Sequence, residues 1–364
     1  MIITGYRLGR LRAPLITPFR TALREVDAVE DIVLTLETDA GLLGYGSAPA
    51  TAVITGDTHG SIIETIRLHL MPRLLGRRVE DLFLLCQTIR TAVVHNSNAK
   101  AAVEMALYDL WAQQLGVPLC RALGGAPTTL HTDLTISLNS IEQMLLDVDA
   151  ALARGFKALK IKLGKELDTD LERVRLIHAR AAGRAALRLD ANQAWTARQT
   201  VSLLNTLERS GIVPELIEQP VPAHDLAGLK FVRERVATPV MADESVFDIP
   251  QLLRLLEMQA ADIVNIKLMK SGGISGALRL ADLCAEHGLE CQIGCMLESA
   301  LGVAAAAHVA AARPKLITRV DLDAAALCEH TNIRMGTMFA GSAIEIGQQA
   351  GLGVIGFDAL ETIT

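Results

Sequence analysis

The sequence predicts an α/β protein, a (β/α)8-type barrel preceded by a separate α+β segment. Three observations carry this. From about residue 130 the chain alternates short apolar runs with longer amphipathic ones. The runs recur at a near-constant interval, and charged residues stand where most of them end. Strands alternating with helices of this length imply βαβ units and a parallel sheet.

The runs are "TDLTISL", "KALKIKL", "AALRLD", "ELIEQ", "PVMADE", "DIVNIK", "LECQIG" and "ITRVD", eight expected strands. Patterns such as "DLERVRLIHARAA", "ARQTVSLLNTLERSG" and "ISGALRLADLCAEHG" read as the helices between them. The residues closing the strands, Lys162, Asp190, Glu218, Asp243, Lys267, Gly294 and Asp321, are 28, 28, 25, 24, 27 and 27 residues apart. A unit of that size repeated eight times suits a closed barrel, whose active site lies where the carboxyl ends of the strands converge. Eight units and no Gly-rich nucleotide loop count against an open doubly wound sheet.

Residues 1–125 read as the α+β domain. There "DIVLTLETDAGLLGYGSA" gives two strands joined at a turn over Asp39, Ala40 and Gly41, and "AKAAVEMALYDLWAQQLG" gives a helix. Residues 126–325 form the barrel. In 326–364, "AIEIGQQAGLGVIGFD" breaks into β-like pieces expected to pack back on the first domain.

Composition narrows the function classes. Half of the 364 residues are hydrophobic but only 3% aromatic, so Ala, Leu, Val and Ile must build the core. A net charge of -6 gives no sign of a nucleic-acid surface. No apolar run approaches a membrane span, and the N-terminus has no signal-peptide core. "LGVAAAAHVAAA" (301–312) reads as an ordinary core helix. Six cysteines without a C-x-x-C pair are expected as free thiols of a cytoplasmic protein. None of the nine histidines forms an H-x-x-x-H pair, and none is assigned to catalysis.

The stretch "GFKALKIKLGK" (155–165) combines a buried strand with two lysines on one face, since residues two apart on a strand point the same way. Buried ammonium groups need compensation. Asp190, Glu218 and Asp243, at the ends of three successive strands, would repel one another unpaired. A divalent cation removes that cost, and an all-oxygen set suits Mg²⁺. A single such carboxylate can instead cap a helix or pair with a lysine; three in succession point to metal. Lys160 and Lys162 on the second strand and Lys267 on the sixth then face one another across the ring. A nearby cation and burial are expected to lower a lysine's pKa toward general-base use. One lysine removes a proton α to a metal-held carboxylate and the opposite one returns it.

The motifs "KIK" (160–162), "DAN" (190–192), "EQP" (218–220), "ADES" (242–245) and "NIKLMKSGG" (265–273) resemble the muconate-lactonizing branch of the enolase superfamily. That superfamily uses a Lys or His base with Mg²⁺ stabilising an enediolate. The resemblance spans essentially the whole chain, and implies a capping domain made from the N-terminal segment and the C-terminal tail. The branch includes dipeptide epimerases, muconate cycloisomerases, o-succinylbenzoate synthases and N-acylamino-acid racemases.

"RVDLDAAAL" separates them. Asp321 and Asp323 lie on one face and have no sequence-evident use, so they read as an uncompensated pair that receives a substrate ammonium group. Their spacing resembles the D-x-D of dipeptide epimerases, which implies a dipeptide with a free amino terminus. "PFRTALR" (18–24) and "VITGD" (53–57) resemble the cap loops of this family, closest to L-Ala-D/L-Glu epimerases. Arg24 would then meet an acidic side chain, with Phe19, Ile54, Met296 and Leu297 as an apolar surround that equally suits a hydrophobic side chain. Glu298 is expected to hold Lys267, and Asn192 to orient a metal ligand; helix capping is the alternative for both. The chain is expected to form a homo-oligomer. Rival readings are a Schiff-base aldolase using Lys162 or Lys267 and a barrel retained without catalysis.

Overall fold

The computed structural model describes residues 1–20, 25–164 and 166–364. The N-terminal segment forms β1 (Ile3–Arg20), β2 (Glu25–Thr38) and β3 (Leu43–Pro49), an antiparallel meander. The β2–β3 turn falls at residues 39–41, where Gly41 takes φ +72°, a conformation natural to glycine. The helix Ser97–Gln114 packs on β3. A Cβ at Gly44 or Gly46 would run into the Ala106 or Ala102 carbonyl, so these glycines let helix and strand approach closely.

After β4 (Thr129–His131), eight parallel strands follow. They are β5 (Leu134–Ile136), β6 (Ala158–Lys162), β7 (Ala186–Asp190), β8 (Leu216–Glu218), β9 (Val240–Ala242), β10 (Ile263–Lys267), β11 (Glu290–Gly294) and β12 (Ile317–Asp321). Each lies inside one of the eight apolar runs. The Asp133 amide donates to the Val320 carbonyl at 3.3 Å, bringing the entry of the first barrel strand against the last. The intervening helices begin where capping chemistry allows. Thr196 and Gln199 form a reciprocal capping box ahead of Ala197–Arg209, and Asp248 caps Ile249–Met258. The alanine-rich segment is the helix Ala300–Ala312, buried at every position as expected of an apolar core helix.

The tail supplies β13 (Ile333–Met335), β14 (Met338–Ala340), β15 (Ala343–Glu345), β16 (Val354–Phe357) and β17 (Leu360–Ile363). β17 pairs with β1, from Leu8–Ile363 to Leu11–Leu360, and so completes the N-terminal sheet. β15 pairs with β4. All six cysteines are free thiols. Among the described residues no helix is long and apolar enough to cross a membrane.

Candidate active site

Strand register brings the charges together. Lys162 pairs in register with Asp190, and Asp190 with Glu218; on the far side Lys267 pairs with Gly294, and Gly294 with Asp321. The strand ends therefore lie side by side, and alternation turns these side chains inward. Lys160, Lys162, Asp190, Glu218, Asp243, Lys267, Asp321 and Asp323 are all buried. Gly294 is the uncharged member of the set for a steric reason. A Cβ there would lie 2.5 Å from Asn265 Oδ1 and 3.0 Å from Lys267 Cε.

The lysines compensate the carboxylates directly. Lys160 Nζ lies 2.7 Å from Glu218 Oε2, 3.1 Å from Asp190 Oδ2 and 2.8 Å from Asp321 Oδ2. Lys162 Nζ donates to Asp190 Oδ2 at 2.6 Å, and Lys267 Nζ to Asp243 Oδ2 at 2.7 Å. One expectation is corrected here. Asp321 is not uncompensated, because Lys160 reaches it past the first barrel strand, while Asp323 accepts the Thr135 amide at 2.6 Å. Burial disfavours the charge of Lys160 and Lys267, but direct pairing with these carboxylates outweighs it, Asp321, Glu218 and Asp190 acting on Lys160 and Asp243 on Lys267, and raises both pKa values.

The carboxylates respond unequally. Burial raises Glu218 to about 8, with Asp190 adding to the shift. Burial also opposes the charge of Asp190, but Lys162 and Lys160 outweigh it and bring the pKa down to about 2. At Asp243 burial is likewise outweighed, by Lys267 and Lys270, and the pKa falls. Asp190, Glu218 and Asp243 fit a hard divalent cation by donor chemistry: three buried carboxylates at adjacent strand ends, here held by ammonium groups. Asp243 Oδ1 sits 2.6 Å from Lys270 Nζ without hydrogen-bond alignment, leaving its lone pairs poorly used.

The backbone around these carboxylates is unusual. Asn192, Gln193 and Gln219 take positive φ values of 44°, 69° and 31° just beyond β7 and β8. Such conformations persist when surrounding bonds enforce them. Gln219 Oε1 accepts the amides of Asp243 and Ser245, and its Nε2 donates to the Val221 carbonyl and Ser245 Oγ. Lys270 Nζ donates to the carbonyls of Asp243 and Asn265. Sequence reasoning singles out neither residue, although they lie inside "EQP" and "NIKLMKSGG". Asn192 holds Asp190 through its amide (2.9 Å) and accepts from Lys162 at 3.2 Å.

One cavity joins these groups to the N-terminal segment. Lys160, Lys162, Asp243, Lys267, Asp321 and Asp323 line its polar wall, and Phe19, Ile54, Met296 and Leu297 its apolar wall. Thr135 and Cys295, which sequence reasoning does not single out, line it as well. Asp190 and Glu218 lie outside that lining. Arg24 lies outside the described residues. Glu298 departs from expectation: the ammonium of Lys267 is held by Asp243, whereas Glu298 Oε1 accepts the Met296 amide at 2.9 Å. Burial raises Glu298 to about 8, with Asp31 of β2 adding to it. Asp31 in turn accepts the Ser299 amide at 2.9 Å, tying the N-terminal sheet to the barrel.

A barrel with carboxylates on successive strand ends and lysines facing across its mouth defines the enolase-superfamily class. Residues 143–355 match the family described as enolase C-terminal domain-like, and residues 8–124 match the mandelate racemase/muconate lactonizing enzyme N-terminal domain. The chain belongs to the mandelate racemase/muconate lactonizing enzyme family. It is 44% identical to an L-Ala-D/L-Glu epimerase of Clostridium acetobutylicum, over 98% of this chain and 100% of that protein. A substrate-liganded structure of the L-Ala-D/L-Glu epimerase of Bacillus subtilis superposes with a TM-score of 0.96 at 44% identity, covering 98% of this chain and 99% of that one. A dipeptide epimerase of Enterococcus faecalis, crystallised with Mg and L-Leu-L-Tyr, gives 0.93 at 37% identity, covering 97% and 99%.

Proposed function

We propose that this chain is a Mg²⁺-dependent dipeptide epimerase that inverts the α-carbon of the C-terminal residue, with an acidic residue such as Glu preferred there. Residues 1–125 and 326–364 serve as its cap and 126–325 as its catalytic barrel, in a cytoplasmic homo-oligomer. The observation that carries the reading is the placement of Lys162 and Lys267 on opposite strands around one cavity that Asp321 and Asp323 also line. The relatives support the substrate class, the two at 44% identity supporting the acidic side chain.

Asp190, Glu218 and Asp243 would hold the cation, which supplies positive charge for the substrate carboxylate as the α-proton leaves. Lys162 and Lys267 exchange protons with the two faces of the α-carbon. Lys160 stays a fixed positive charge, since three carboxylates surround it. Asp323, with Asp321 beside it, receives the free ammonium group. Phe19, Ile54, Met296 and Leu297 enclose the side chain, with Arg24 meeting its acidic end. A racemase of N-acylated amino acids is the second reading, favoured by the engagement of Asp321 with Lys160.

N-acetylation of the dipeptide separates the two. A charged hydrogen bond contributes roughly 1.5–3 kcal/mol, so kcat/KM should fall about tenfold to a hundredfold on acetylation. Arg24→Met should harm Ala-Glu far more than Ala-Phe in the same assay. Equal processing of free and acetylated dipeptide would transfer the assignment to the racemase.

A further inference from the structure

The amino-terminus receptor has a third carboxyl behind it. Asp133, buried just before β5, places a carboxyl oxygen within 4.8 Å of oxygens from both Asp321 and Asp323. Cations near this trio are divided among other partners. Lys160 serves Glu218 and Asp190 as well as Asp321. Arg188 Nη1 donates to Asp133 Oδ2 at 2.9 Å, but its Nε donates to Glu215 Oε2 at 2.9 Å, and Glu215 also pairs with Arg319. Asp323 accepts the Thr135 amide. Two buried oxygens of this neighbourhood, Asp133 Oδ1 and Gln292 Oε1, have no hydrogen-bond partner, while Gln292 Nε2 lies 3.5 Å from Asp321 Oδ2. The other groups acting on the trio are Lys162 and Lys267, which favour the ionised form of Asp321, and the Cys295 thiol, which burial keeps neutral.

Three carboxylates this close, with shared cations, do not all ionise together. Burial opposes the charge of Asp321, but Lys160 outweighs it and keeps that carboxylate ionised. Burial, with Asp321 adding, pushes Asp323 up to about 6 and Asp133 well above the usual carboxylate range.

We propose that Asp133 is a positioning residue of the ammonium receptor: with Asp323 it retains one proton in the free enzyme, and the arriving amino terminus expels that proton to solvent. The inference rests on the dipeptide reading above. One carboxyl O–H bond breaks, its proton passes to the buffer, and an ammonium N–H donates to the carboxylate left behind. One positive charge enters as one leaves, so the buried site keeps its net charge.

Isothermal titration at about pH 6, in two buffers of different ionisation enthalpy, tests this on the Mg²⁺-loaded enzyme. The ligands are epimer-equilibrated Ala-Glu and its N-acetyl derivative. At that pH the dipeptide amine is already protonated. Free Ala-Glu should release about half a proton or more per molecule bound, and the acetylated compound essentially none. Asp133→Asn should lose most of that release yet still prefer the free dipeptide, whereas Asp133→Glu should retain it. If Asp133→Asn fails to fold for want of the Arg188 pair, wild type and Asp133→Glu carry the test. Stronger binding of free Ala-Glu with no more proton release than the acetylated compound overturns the inference and leaves the dipeptide reading intact. So does unchanged release in Asp133→Asn. Equal affinity for the two ligands removes the dipeptide reading itself.

Discussion

Glu104→Gln should stabilise the protein at pH 8 and hardly change it at pH 4.5. Glu104 projects from the helix Ser97–Gln114 toward the helix Ile274–Glu286, whose N-cap, Gly273, offers no side chain. It substitutes for that cap: Oε2 accepts the Ser275 amide at 2.9 Å and Oε1 the Ser275 hydroxyl at 2.6 Å. Burial raises its pKa from 4.5 to about 7, against the pull of those hydrogen bonds. A folded-state pKa above the unfolded value favours the fold at low pH. That contribution is complete below pH 4.5 and is lost as pH rises through about 7. The loss corresponds to about 3 kcal/mol, at roughly 1.36 kcal/mol for each pH unit between the two values. Glutamine keeps an acceptor for the amide and a donor for the hydroxyl oxygen, and carries no charge. Urea unfolding of both proteins between pH 4.5 and 8 should show a gap that opens with pH and levels off above neutrality. A gap of the same size at both ends would mean that burial of the charge is not the operative cause.

Chelation with EDTA should abolish epimerization and added Mg²⁺ should restore it; Asp190→Asn, Glu218→Gln and Asp243→Asn should each weaken Mn²⁺ binding, read by electron paramagnetic resonance, along with turnover. Full activity in excess EDTA would remove the metal from the account. Lys267→Ala should end epimerization but leave α-proton exchange into D₂O from one epimer through Lys162, followed by mass spectrometry; wild-type epimerization by this variant would refute the two-base assignment.

The barrel is legible because its strands are short, apolar and mostly closed by a charged residue that faces the mouth, so period and chemistry agree. The same alternation makes Lys160, Lys162, Asp190, Glu218, Asp243 and Lys267 readable as one constellation. β1 does not read as a strand, since Pro14 and Pro18 punctuate it, and its register shifts between Pro14 and Phe19. Asp321 misleads for a different reason. Barrel closure brings the second strand near the eighth, so the lysine that pairs with Asp321, 161 residues away, leaves no trace in local spacing. Gln219 and Lys270 bond mainly to backbone groups, a role that no residue pattern announces.

The pairing of β17 with β1 bears on how the protein is made. β1 leaves the ribosome before the barrel and β17 after it, so the whole barrel is synthesised in between. At about 5–20 residues per second, tens of seconds pass before the partner strand appears. Throughout that interval β1 presents an open edge, the kind of surface that recruits foreign strands. The nascent chain is therefore exposed to misassociation at its N-terminal sheet, and a ribosome that stalls within the barrel leaves that edge uncovered for as long as the stall lasts.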